Sequence, residues 1–417
     1  MSKNKNLSVL LLLLFVFATG LILRLDVFSN YLHNFKLVGD AQNYYLMSHQ
    51  IVDKGIYGYG LGRMSQVSNA YVTPMYPLFL STIYGILGDK FLQITVVRLL
   101  QIIVSGVLTP LVSYLLINQL FKRKYIAILT AFFTAVYPTY VLSCIQILTE
   151  VLALFTMLLY LYLLVLGLEK RSKLIIILAG VAFAIQILVR PAMLPLIIIP
   201  YCFMFFTWYK DDRKSLLYMF ILHCVGFVII MMPWWIRNYV VLHQIILTAT
   251  SSGNPLLAGT YPDLKDLFGD TNNEIMKNSD TQAEYGKMRI IKGFTNEPLV
   301  YLKWYTIGKI QVIFGTPWLY KMNKIYMERS IIGQIFFVGV GSIGVIVNSI
   351  FSKIHRYINL YALLFLCIYL VFIPVTRYAY QHMFFLMLAA AYVIISSITF
   401  FIKTLKNRKV LDTQKGA

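Results

Sequence analysis

Charge is scarce in this chain. Asp, Glu, Lys and Arg make up 13% of its 417 residues, and the acids number only 17. A chain of this length cannot cover itself with a water-facing surface from so few charges, which excludes an ordinary soluble globular protein. Cysteine is sparser still, at four residues. Cys144, Cys202, Cys224 and Cys367 stand singly in apolar stretches, with no CxxC or Cys/His spacing, so they read as packing residues and not as a disulfide framework or a zinc site. The histidines His33, His49, His223, His243, His355 and His382 likewise show no ligand spacing. A nucleotide-binding glycine loop is missing too. The GxGxxG match Gly339-Val340-Gly341-Ser342-Ile343-Gly344 lies inside an apolar run without a flanking strand or ribose-binding acid, and reads as close helix packing through small residues. No segment repeats at a fixed period, which weighs against a repeat-built transporter.

What fills the chain instead is apolar: 59% of residues are hydrophobic and mean hydropathy is +0.71. The lipid bilayer is therefore its solvent. Its 37 Lys and Arg give a formal charge of +20, which in a soluble domain would suggest nucleic acid. Here they fall in short clusters between apolar spans, as the positive-inside rule predicts, and no nucleic-acid partner is expected.

The hydropathy pattern predicts an all-α polytopic membrane protein of about ten (nine to twelve) helices, a single transmembrane domain over 1–417 with both termini cytoplasmic. A basic start followed by Leu7 to Leu23 resembles a signal peptide, but no small-x-small cleavage site follows, so residues 7–27 are expected to remain as the first span. The others are expected at 91–120, 126–142, 147–168, 174–189, 193–208, 216–236, 331–351, 358–373 and 383–401. Residues 28–90 form the first extracytoplasmic loop, which begins its polar part at Lys36 and returns through Thr73-Pro74-Met75-Tyr76-Pro77 into an apolar run, 78–87, too short to span and suited to the interface. Residues 247–330 form a second such loop, ending in an interfacial amphipathic helix near 299–319 that Lys303 and Lys309 interrupt, and 403–417 is a cytoplasmic basic tail carrying Lys403, Lys406, Arg408 and Lys409.

Six ionisable residues fall at outer span ends on different segments: Asp40, Arg98, Glu150, Arg190, Arg237 and Arg377. Charges at membrane depth are costly and usually pair or face a water-filled site, so this set can converge on one cavity. The combination suits transfer of a sugar from a lipid phosphate. An acid can take the proton of an acceptor hydroxyl, and arginines, with their rigid fork of donors, can hold an anionic phosphate leaving group. Such a leaving group needs no separate general acid. A transporter or flippase of a lipid-linked glycan or small solute is the alternative, but it calls for ionisable groups near mid-membrane, whereas these cluster at one face.

Five stretches carry a family resemblance. Gly39-Asp40-Ala41-Gln42-Asn43-Tyr44-Tyr45, Thr73-Pro74-Met75-Tyr76-Pro77-Leu78-Phe79-Leu80, Leu148-Thr149-Glu150, Pro233-Trp234-Trp235-Ile236-Arg237-Asn238 and Arg377-Tyr378 occur in that order on the expected outer face. Together they resemble the protein O-mannosyltransferase and aminoarabinose transferase superfamily. The resemblance implies the GT-C fold, a polyprenyl-phosphate-linked sugar as donor and a hydroxyl of an extracytoplasmic acceptor as its target, with the active site on the extracytoplasmic face. It implies Asp40 as general base and Glu150 as the second acid of the cavity. Arg237, Arg377, Arg190 and Arg98 are the candidates for the donor phosphate, and Tyr44, Tyr45, His49, Tyr76, Trp235, Asn238, Tyr378 and His382 for the substrate cavity. The run Tyr57-Gly58-Tyr59-Gly60 offers a platform for a sugar. Many relatives place a second acid after the first, where this chain has Ala41. The sequence assigns no cofactor. Assistance by a divalent cation, Mg or Mn, stays open, although Asp40 and Glu150 are few ligands for a hard cation.

Overall fold

The computed structural model describes residues 2–31, 37–319 and 324–415. His33 and the start of the first loop at Lys36 lie outside the described residues, as do 320–323 at the end of the second loop and the side chains of Lys406, Arg408 and Lys409 in the tail.

The described residues contain helices, turns and coil but no strand. Helix α1 (Ser2–Tyr31) is followed by the loop helices α2 (Asp40–Lys54) and α3 (Met75–Leu87). Next come α4 (Lys90–Phe121), α5 (Lys124–Val136), the short α6 (Pro138–Ser143), α7 (Glu150–Lys170), α8 (Lys173–Val189), α9 (Pro191–Phe205) and α10 (Arg213–Leu242). The second loop holds α11 (Gly253–Ala258), α12 (Ser279–Asn296) and α13 (298–315). Helices α14 (Lys324–Phe351), α15 (Lys353–Val371) and α16 (Ala379–Lys415) complete the chain.

Seven helices among the described residues are long and apolar enough to cross a membrane, fewer than the ten segments expected. All ten segments are helical, but three are shorter, and proline accounts for two of these. Pro138 has no N–H to donate and excludes a helical Tyr137, so the segment expected at 126–142 breaks into α5 and α6. In α9 the first turns, with Pro191 and Pro195, are 3-10.

Small residues let the long helices touch. A Cβ at Gly180 of α8 would stand 2.0 Å from the His223 carbonyl oxygen of α10, and one at Gly226 of α10 would stand 2.1 Å from that of Ile177. The glycine run in α14 behaves as its composition suggests, since Cβ atoms at Gly341 and Gly344 would meet the Leu386 and Ala389 carbonyls of α16 at 2.8 and 2.6 Å. Gly339, by contrast, has nothing within 4 Å. Gly226→Val is therefore expected to lower stability by about 1–3 kcal/mol through overpacking, and Gly339→Ala to cause no loss. Thermal unfolding of the two purified variants in detergent checks the contrast.

The buried Arg24 of α1 is a second tie. Its Nε donates to Ser105 Oγ at 2.8 Å and its Nη1 to the Gly20 and Ala135 carbonyls at 3.0 and 2.7 Å, joining α1 to α4 and α5 with charge-assisted bonds. At the ends of α4, α7 and α9 the basic clusters gather. Lys122 pairs with Glu169 at 2.8 Å, and Arg171 with Asp212. The opposite ends of α7, α8 and α15 frame the site described next.

Candidate active site

Helix α2 opens on the acid singled out above. Gly39 takes φ 58°, a conformation open to a residue without Cβ, and turns the chain so that Asp40 becomes the first helical residue. There the free N–H groups of the helix start favour a carboxylate. The loop after α2 folds back over it. Asn43 Nδ2 donates to the Tyr59 hydroxyl at 2.9 Å, and its Oδ1 accepts from the Gly62 N–H at 2.8 Å. Asn69 brackets Tyr59 from the other side, accepting from its N–H at 3.0 Å and donating to its carbonyl at 3.1 Å.

These bonds place both oxygens of Asp40 in charge-assisted contacts. Tyr59 donates its hydroxyl to Oδ1 at 2.9 Å, and Arg377 donates Nη1 to Oδ2 at 2.7 Å. Burial by itself would raise the Asp40 carboxyl, but the charge and hydrogen bond of Arg377, helped by Tyr59 and Arg190, hold it below the ordinary carboxylate value. Burial, then the negative charge of Asp40, pushes the Tyr59 hydroxyl well above its ordinary value, so it stays a donor. Arg377 comes from the turn Thr376–Tyr378 before α16, which follows the end of α15. Arg190 caps the C-terminus of α8 and brings Nη2 to 3.1 Å from Oε1 of Glu150, the first residue of α7.

Asp40, Arg190 and Arg377 share one open cavity of 540 Å³. Tyr44, Tyr59, Tyr71, Tyr369 and Tyr378 line it beside them, Thr248, Ser251, Ser252 and Asn254 enter from the second loop, and Leu194, Pro195, Ile368 and Phe372 make an apolar wall. One carboxylate, two guanidiniums and a polar rim thus open onto an apolar slot. Such a space can hold an anion at the arginines, a chain of hydrocarbon along the wall and a hydroxyl compound over the acid.

Of the expected site residues, the cavity brings together Asp40, Arg190, Arg377, Tyr44 and Tyr378. Glu150 does not line it; it is buried at 1% exposure and pairs with Arg190. The remaining candidates face elsewhere and hold the fold. Arg98 is buried and donates Nε to the Ile145 carbonyl at 2.9 Å. Arg237 donates to the Asn69 and Tyr57 carbonyls, each at 3.1 Å, and lies over the Tyr57 ring, so it staples the first loop to α10 and does not line the cavity. Asn238 and Trp235 donate to the Ile246 and Leu247 carbonyls at 3.2 and 3.0 Å, fixing the chain as it leaves α10. Tyr45 packs on His49, which meets Gln93 Oε1 at 2.7 Å on the far side of α2. Tyr76 is fully buried with its hydroxyl on Gln101, and His382 is buried with its ring on Phe365. Hydropathy gives an expected depth for these residues but says nothing about which way each points.

Two features at or behind the cavity escaped the sequence. The hydroxyl of Tyr59 on Asp40 is one; the Tyr-Gly run hinted at it, but only the Asn43 and Asn69 bonds aim it. The other is Lys309, on the helix expected to lie in the interface, whose side chain is buried and donates Nζ to the Leu370 and Phe372 carbonyls at 2.7 and 3.0 Å with the Tyr305 ring 3.7 Å away. Burial pushes its pKa down to about 7. It satisfies the last carbonyls of α15 and thereby seats Phe372 in the cavity wall. Lys309→Met keeps the volume and orphans these carbonyls, so a loss of about 1–3 kcal/mol is expected, read as a lower unfolding temperature.

The donor set does not suit a divalent metal. Both oxygens of Asp40 are engaged, Glu150 lies behind Arg190, and no group of three His, Cys, Asp or Glu able to hold an ion occurs among the described residues.

Comparisons with known proteins agree with this architecture. Residues 71–236 match the family model of dolichyl-phosphate-mannose-protein mannosyltransferase. No curated protein matches the sequence. The archaeal oligosaccharyltransferase AglB from Archaeoglobus fulgidus, solved with an inhibitory peptide and a dolichol-phosphate, is similar with a TM-score of 0.58 at 16% identity, over 97% of this chain and 52% of that one. A second structure of the Archaeoglobus fulgidus oligosaccharyltransferase, tethered to an acceptor peptide, gives 0.59 at 16%, over 98% and 52%. ArnT from Cupriavidus metallidurans bound to undecaprenyl phosphate gives 0.45 at 13%, over 91% and 78%. The chain thus spans about half the length of the archaeal enzyme. The likeness to that enzyme covers nearly the whole chain, so the chain is a multi-pass membrane protein of the GT-C fold, and its residues 71–236 are similar to the dolichyl-phosphate-mannose-protein mannosyltransferase model.

Proposed function

We propose that this protein transfers one sugar from a polyprenyl-phosphate carrier to a hydroxyl of an extracytoplasmic acceptor: a cell-envelope glycan, a lipid or a protein. The observation that carries the reading is the Asp40–Arg377 pair, open to the same cavity as Arg190 and beside an apolar wall. The donor's phosphate sits on Arg377 and Arg190, its hydrocarbon chain runs along Leu194, Ile368 and Phe372, and the acceptor enters over Asp40. The acceptor oxygen attacks the anomeric carbon and gives its proton to the Asp40 carboxylate. The bond from that carbon to the phosphate oxygen breaks, and the electron pair leaves on the phosphate, whose charge the two guanidiniums stabilise. A single displacement of this kind inverts the anomeric carbon. No step runs through a metal. With the basic clusters placed inside by the positive-inside rule, the cavity opens on the extracytoplasmic side.

The test is a panel of radiolabelled polyprenyl-phosphate sugars offered to the purified protein with cell-envelope extracts as acceptors. Label is expected to move to an acceptor with its anomeric configuration inverted. A donor that crosses the bilayer of reconstituted vesicles intact, with no label transferred, would replace this reading by the transporter one.

A further inference from the structure

A second cavity lies at the other end of the bundle, and the proposed reaction does not use it. It is 390 Å³ in volume, open, almost entirely apolar, and runs between α9 and α15 with α4, α7 and α16 behind it. Its apolar lining includes Leu116, Val165, Phe203, Ile358 and Leu388. Two features break the apolar surface. Lys353, the first residue of α15, lines the mouth; it is exposed and has no acid within ion-pair distance among the described residues. Tyr361 lines the interior, is 5% exposed, and leaves its hydroxyl without a hydrogen-bond partner among the described residues. A buried hydroxyl left unpaired is costly, so it marks a place where something polar belongs.

The surroundings select the chemistry. At the mouth Trp208 is 43% exposed, as aromatic residues at a membrane interface are. Lys122 and Arg171, already paired with Glu169 and Asp212, line the adjoining surface pocket together with Glu169. That pocket shares Leu120, Trp208 and Ile354 with this one, and Lys353 is left as the cation at the mouth without an ion-pair partner among the described residues. The N-terminus of the 19-residue α15 adds its partial positive charge beside Lys353. The cavity therefore asks for a molecule with an anionic head, a hydrogen-bond acceptor a short distance below it, and a hydrocarbon chain. Lys353 and Tyr361 are eight residues apart, roughly 12 Å along the helix. Helical side chains lean toward the N-terminus, so the Tyr361 hydroxyl sits closer to the head than that spacing suggests.

We infer that this groove is a binding site for an anionic phospholipid, with its phosphate at Lys353 and the start of α15, an ester carbonyl accepting from Tyr361, and one acyl chain between α9 and α15. The basic face of a membrane protein meets the leaflet whose surface is negative, which supplies the partner. The site is independent of the sugar-transfer reading and stands if that reading fails.

The full-length protein, purified in a neutral detergent, is titrated with phosphatidylglycerol, phosphatidylcholine or undecaprenyl phosphate, and lipid adducts are counted by native mass spectrometry. One phosphatidylglycerol is expected to bind at five-fold or more lower concentration than phosphatidylcholine. Lys353→Ala and Tyr361→Phe should each weaken that first adduct several-fold while Lys353→Arg restores it, and Leu388→Trp, which fills the groove, should remove it. Lys353 is exposed, so its variant keeps the test valid if the core substitution fails to fold. Equal binding of the two phospholipids, or a first adduct untouched by Lys353→Ala and Tyr361→Phe, overturns the site. So does undecaprenyl phosphate displacing phosphatidylglycerol through the same residues, which would make the occupant the sugar carrier.

Discussion

Replacing Asp40 by Asn is expected to lower glycosyl transfer by about 10²–10⁴-fold, the usual worth of a general base, while leaving expression and donor binding near wild type. The amide has nearly the same shape and its oxygen can still accept from Tyr59 or Arg377, so the cavity is expected to keep its form. What it loses is the ability to take the acceptor's proton. The check is a comparison of initial transfer rates with equilibrium binding of the labelled donor. Transfer within a few-fold of wild type would remove Asp40 from the base role, and a parallel loss of donor binding would recast it as a residue that only positions Arg377.

The second large effect is expected at Arg377. This guanidinium touches Asp40 at 2.7 Å and lines the cavity in which we propose that the donor phosphate binds, so in that reading it serves two ends. Arg377→Ala should lower kcat/KM by about 10²–10³-fold, the range seen when one donor to a developing anion is removed. The pH profile distinguishes its two roles. In the free wild-type enzyme Arg377 holds the Asp40 carboxyl below its ordinary value, so the acid limb of kcat/KM lies below the usual carboxylate range. Without that cation, burial raises the same carboxyl, and the limb should move upward in pH. A uniform loss with an unmoved acid limb would mean that Arg377 acts on the phosphate alone.

In the proposed reaction the same pair would link binding to chemistry. A carboxylate tied to a cation is stabilised in its charged form and is therefore a weak base. A donor phosphate would compete for Arg377 and withdraw part of that stabilisation, so Asp40 is expected to become more basic with the donor in place. The pH limb of kcat, which reports the loaded enzyme, should accordingly sit above that of kcat/KM.

The sequence made the membrane architecture legible because bilayer thickness and the cost of buried charge act on every span alike. All ten expected segments are helical, and the count of long spans fell short at Pro138 and in the proline-bearing start of α9, where backbone chemistry breaks an apolar run that hydropathy reads as continuous. The site was legible only as a depth. Asp40, Arg190 and Arg377 meet at one cavity, but Arg98 and Arg237, expected at the same outer face, turn to backbone carbonyls instead. The azimuth of a side chain depends on contacts from distant elements, such as Asn43 and Asn69 aiming Tyr59, and no local pattern records these. Lys309 shows the same thing in reverse. A lysine that interrupts an apolar run looks like a surface residue, yet here it caps a helix inside the protein.

Phosphorus NMR on the donor tests the central claim most directly, because the bond that breaks is the one between sugar and phosphate. With purified protein, a polyprenyl-phosphate sugar and acceptor present, the diester resonance is expected to give way to the monoester of free polyprenyl phosphate, at a rate that depends on acceptor and is lost in Asp40→Asn. A diester signal that persists across the donor panel while the protein binds and moves the lipid, or one that decays equally with wild type and Asp40→Asn, would contradict an Asp40-based sugar transfer.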